Sequence, residues 1–199
     1  MQRSEPPRPA RWLVTALAVG FLYGWLTWRI PSPTPSRPHD FWVANLAAPW
    51  LVMPFAAGWL QRSRTRSAIA GSLADIGASA GFYLSILLAD PHPGPRGRRT
   101  PIPDRIIQNW MYWLQYLAPW IALSVLVGGV LGVLGCWRRR SGSAVPAAVI
   151  GLALLTEPLV LITLRGYRVP VPIWSAEMLV GVCVMVIAIR SHRRTVPQL

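Results

Sequence analysis

The chain contains no lysine, and only seven acidic residues stand against twenty arginines over 199 positions. Charged residues make up 14% of the sequence, against about a quarter in ordinary soluble domains, which excludes a conventional water-exposed surface over most of its length. Histidine is equally scarce. His39, His92 and His192 lie in loops or the tail, so no apolar run offers a haem ligand or an HExxH zinc pair. The lack of lysine removes the phosphate-cradling loop that ends in Gly-Lys, and there is no nucleophile elbow. An enzyme is therefore not expected, nor a cofactor or a metal. Cys136 and Cys183 sit in or at the edge of apolar runs without ligand spacing, and read as free thiols.

What is present is apolar. Hydrophobic residues reach 53%, and the arginines fall in short clusters between apolar runs, so the expected partner is membrane lipid and not nucleic acid. Six runs read as spans of a bilayer core about 30 Å thick: residues 12–28, 41–60, 68–89, 117–137, 144–164 and 173–189. The sequence thus predicts an all-α integral membrane protein, six transmembrane helices in one bundle over 12–189, with tails at 1–11 and 190–199. Residues 106–116 mix Gln108, Asn109 and Gln115 with Trp110, Tyr112 and Trp113, the composition of an interfacial helix before span four. The first run follows basic residues like a signal sequence, but Thr27, Trp28 and Arg29 make a poor cleavage site, so it reads as a retained span. Proline-rich connectors at 29–40 and 90–105 separate the early spans. Each tail and each even-numbered loop holds three arginines, twelve in all, against two, four and two in the odd-numbered loops. The positive-inside rule then puts both termini in the cytoplasm of a multi-pass protein of the bacterial plasma membrane.

Only three acidic residues interrupt the spans: Asp75, Glu157 and Glu177. A carboxylate in hydrocarbon must face protein, water or a partner, so each turns away from lipid. Pro158 sharpens the oddity at Glu157, because it has no N–H to offer the carbonyl of Leu154. At 1.5 Å per residue Glu157 lies roughly 10 Å from the outer end of its span, and Glu177 and Asn45 lie roughly 6 Å from theirs. Gln115 shares their level, and Trp174 precedes Glu177 by one turn. Asp75 alone lies toward the cytoplasmic side, where a bond to a neighbouring helix or an arginine of residues 62–66 accounts for it. Trp25, Trp28, Trp42, Trp110, Trp113 and Trp174 crowd the outer face. One account is an aromatic belt with a few structural hydrogen bonds. The other is an outward cavity in which two glutamates and several indoles hold a small molecule with a cationic or aromatic part.

Ala16, Gly20 and Gly24 form a small-xxx-small ridge on span one, suited to internal packing or to docking a separate subunit. Further ridges stand at Gly77-x-x-x-Gly81 and Gly128-x-x-x-Gly132.

Asn45 with Pro49-Trp50 and Gly58, Gly71, Gly81-Phe82-Tyr83, Gly132 with Gly135 and Trp137-Arg138-Arg139, Glu157, and Trp174-x-x-Glu177-x-x-x-Gly181 make the chain resemble an uncharacterised family of roughly 200-residue bacterial six-span membrane proteins. In size and span count that family is similar to the S components of energy-coupling factor transporters, six-helix proteins that capture substrate from outside. The resemblance implies uptake with a coupling protein and ATPases as partner subunits, docked through the Ala16-Gly20-Gly24 face. The expectation is a small-solute binding membrane protein with a cavity bounded by Asn45, Gln115, Glu157, Glu177 and Trp174, and a substrate-capture role. The alternative is a non-transporting structural or assembly subunit whose glycine ridges dock other helices.

Overall fold

Each apolar run closes into a helix. The computed structural model describes residues 9–28, 47–89, 102–165 and 171–195. Those residues form six α-helices and no strand: α1 Pro9–Trp28, α2 Ala47–Trp59, α3 Arg64–Ala89, α4 Ile102–Ser141, α5 Val145–Arg165 and α6 Val171–Thr195. The expected all-α class is what the chain adopts. Asn45 and Trp42, most of both proline-rich connectors and the first eight residues lie outside the described residues.

Helix bounds differ from the expected spans where polar residues continue a helix. α3 starts four residues before Ala68, because Ser63 caps it: the Arg66 amide donates to the Ser63 hydroxyl at 3.2 Å. α6 continues past Ile189 to Thr195. The interfacial helix expected at 106–116 is not a separate element. It is continuous with the following run in α4, a 40-residue helix with Pro119 inside it. Pro119 removes one backbone hydrogen bond beyond that stretch, and 106–116 itself contains no proline or glycine to stop a helix. α4 ends where Gly142 takes a left-handed φ of 64° and its amide donates to the Arg138 carbonyl at 3.1 Å. Residues 142–144 then turn the chain into α5.

Backbone meets backbone where the helices cross. Gly20 and Gly24 face Ala74 and Ala78, while Gly77 and Gly81 face Leu17 and Phe21, so α1 and α3 run parallel. α4 runs antiparallel to α3, with Gly132 on Ser67 and Gly128 on Gly71 and Asp75. α2 lies parallel to α4: Gly135 faces Phe55, and four residues on in both helices the Arg139 guanidinium donates to the Trp59 and Leu60 carbonyls at 3.2 and 2.9 Å, while Gly58 packs on Gly132. Gly132 is therefore wedged between two helices, and a Cβ there would strike the Ser67 carbonyl. α5 and α6 pair with each other, and α5 touches α2 and α4 more sparsely. Leu131, Ile150 and Leu154, with Leu51 and Phe55 packed on them, form the apolar core that joins α5 to α2 and α4.

The interior holds small and polar residues: Ala70, Ala74, Ala78, Ser67, Ser79 and Ser124 are buried. Many large aliphatics outside the core of Leu131, Ile150 and Leu154 point outward, with Leu126 68% and Ile187 65% exposed. This reverses the sorting of a water-soluble protein, where such an apolar surface marks contact with something other than water. Among the described residues, one helical segment, Leu117–Ser141, is long and apolar enough to cross a membrane by length and composition. Trp50–Trp59 and Val145–Val160 are shorter apolar helices.

Candidate functional site

Two glycines set the register that builds the site. A Cβ on Gly181 would come to 2.8 Å from the Gly151 carbonyl and 3.0 Å from the Leu154 Cβ, so α5 and α6 cross closely and run antiparallel there. Moving forward along α5 and back along α6 from that crossing brings Glu157 opposite Glu177. Their carboxyl groups are close enough to interact directly. Glu177 is 7% exposed, and neither of its carboxylate oxygens has a hydrogen-bond donor. Glu157 is half-buried, next to the fully buried Pro158.

Carboxylate oxygens only accept, so two of them at this range require a proton or a donor group between them. Like charges this close otherwise repel in a medium that screens poorly. Glu177 thus carries two buried oxygens without a donor at the face of the hairpin.

A ring system approaches from the other helices. Tyr23 of α1 lies within electrostatic reach of Glu157, and its buried hydroxyl has no partner. Its ring meets Trp50 of α2 edge-on at 5.5 Å, and Trp50 meets Phe82 of α3 at 6.0 Å. Phe82 in turn meets Tyr83 at 5.5 Å. Of these rings Tyr23 is the one linked to a carboxylate, and the others extend from it across α2 and α3. The sequence reading missed Tyr23; its signal is a phenol in an apolar run, whose hydroxyl needs a partner once buried.

The remaining expected residues divide. Trp174 is half-buried one turn before Glu177, on the same side of α6. Gln115 is exposed on α4, and Asn45 lies outside the described residues. Gly20 and Gly24 are buried against α3 and Ala16 is half-buried, so the two glycines of the ridge considered for a partner subunit pack inside this chain. Asp75 is separate from the glutamates: it hydrogen-bonds to Ser124 of α4, whose hydroxyl also meets that of Ser79 at 3.0 Å. Gly77-Ala78-Ser79-Ala80-Gly81 has the spelling of a nucleophile elbow, yet Ser79 is buried in mid-helix and both glycines are packing positions against α1. Among the described residues, no three of His, Cys, Asp and Glu converge as metal ligands would.

Residues 3–96 match a family of unknown function (DUF6518), a stretch that takes in α1 to α3 with Tyr23, Trp50 and Phe82 but stops short of both glutamates. No curated protein and no solved structure matches the chain.

Proposed function

We propose that the chain is a six-span bundle of the bacterial plasma membrane, with both termini cytoplasmic, that binds a small solute at Glu157 and Glu177. The observation that carries this reading is Glu177, an almost fully buried carboxylate without a hydrogen-bond donor, facing a second carboxylate. A structural role would be better served by a satisfied or apolar pair, which favours a binding role for this one.

The outward-pointing aliphatics support the bilayer, and the contacts of Arg139 with the end of α2 support a common side for two arginine clusters. On that side, taken as cytoplasmic, α5 begins at Val145, so Glu157 stands about 18 Å away, in the outer half of the bundle. Tyr23 stands about 21 Å from the start of α1, at a similar level. Trp174 completes the wall from α6, and Asn45 and Gln115 are its further candidates. The sharpest form of the reading is a substrate-capture subunit similar to the S components of energy-coupling factor transporters, working with a coupling protein and ATPases. The glycine ridges of α1, α3 and α4 pack against one another or against α2, so a coupling protein in this reading, or other helices in the alternative of a non-transporting structural or assembly subunit, would dock elsewhere.

Purifying the wild type and Glu177→Gln from native membranes, and comparing the small molecules extracted from each, tests the reading. A compound retained by the wild type and absent from the folded variant supports it. Identical extracts, with a variant that no longer folds, support the structural alternative.

A further inference from the structure

Both oxygens of Glu177 are acceptors, both are buried, and neither meets a donor. Glu157 lies beside them. The ligand must then carry its hydrogens with it. From this we infer that the site takes an organic cation bearing N–H groups, a primary ammonium or a guanidinium, and not a quaternary ammonium or a neutral solute. The inference rests on the solute-binding reading above and narrows it to a ligand class.

Three features point the same way. A buried carboxylate without a donor, in a poorly screened setting, favours positive charge, which neutral solutes lack. A guanidinium offers parallel N–H groups that match a carboxylate, and an ammonium offers three donors, whereas a quaternary nitrogen offers none and would leave the Glu177 oxygens as unsatisfied as before. Tyr23 adds to this: its unpartnered hydroxyl, near Glu157, accepts an N–H or donates to Glu157. Trp50, edge-on to Tyr23 at 5.5 Å, holds that ring in place.

The test uses the full chain in detergent, with four probes at matched ionic strength: n-butylammonium, methylguanidinium, tetramethylammonium and N-methylurea. The readouts are the unfolding midpoint and tryptophan fluorescence. Butylammonium or methylguanidinium is expected to raise the midpoint saturably in the wild type. The apparent affinity is expected to be about tenfold or more weaker in Glu177→Gln and in Glu157→Gln. Tetramethylammonium and N-methylurea are expected to do nothing. Equal action of either of these, lost in both variants, overturns the N–H requirement while leaving a solute site. No variant-dependent response to any probe overturns the cation class, and the extracted-compound comparison then decides whether the solute reading falls with it. Two isosteric variants guard against one that does not fold.

Discussion

Glu157 of α5 and Glu177 of α6 bring their carboxyl groups together across an antiparallel hairpin, six residues beyond Gly151 and four before Gly181. The glycines let the two backbones approach, and the approach forces the carboxylates to meet. Packing and polar site are therefore one design in this half of the molecule, as they are not at Asp75, which already has Ser124.

The wedge at Gly132 gives the first prediction. A Cβ there would strike the Ser67 carbonyl, so Gly132→Ala must push helices apart, at a cost of about 1–3 kcal/mol. Gly129→Ala is the control: its Cβ would meet only the Ser72 hydroxyl at 3.1 Å and the Ala68 carbonyl at 3.9 Å, and helix propensity favours alanine by about 1 kcal/mol. Thermal unfolding in detergent should show a lower midpoint for Gly132→Ala and little change for Gly129→Ala.

Ser124 gives the second. Its hydroxyl serves both Asp75 and Ser79, so Ser124→Ala leaves a buried carboxylate short of a donor and is expected to cost about 1–2 kcal/mol. Ser79→Ala removes only one hydroxyl–hydroxyl bond and should cost less. The two midpoints, measured side by side, check the order.

Cys183 reports the solvent around the bundle. It is exposed near the middle of α6, whereas Cys136 is buried. Thiol reactions need the thiolate, which lipid disfavours. In intact membranes a charged maleimide should leave Cys183 unlabelled, and labelling should appear on denaturation. Rapid labelling in intact membranes would mean that the face is wet and the bilayer reading wrong.

Much of the helical plan was legible because apolar runs, prolines and arginine clusters punctuate the chain strongly. The six runs and the oddity of Glu157 needed no coordinates. The unbroken α4 was not legible, because polar and aromatic residues at 106–116 change the surroundings a helix prefers without ending the helix. Nor was the partner of each ridge: Ala16-x-x-x-Gly20-x-x-x-Gly24 states that something comes close, and only the fold shows that Gly20 and Gly24 meet α3. The pairing of Glu157 with Glu177 depends on hairpin register, which spacing along one helix does not encode. Tyr23 enters from a third helix for the same reason.

The measurement that bears most directly on the central claim is the unfolding midpoint of Glu177→Gln beside the wild type, in one detergent with no solute added. Glutamine keeps the shape and gives the facing Glu157 a donor, so a site held in readiness for a ligand should relax. The midpoint is predicted to stay level or rise. A fall of about 4 °C or more, on the order of 1 kcal/mol for a chain of this size, would contradict the account and make the carboxyl pair part of what holds the fold together.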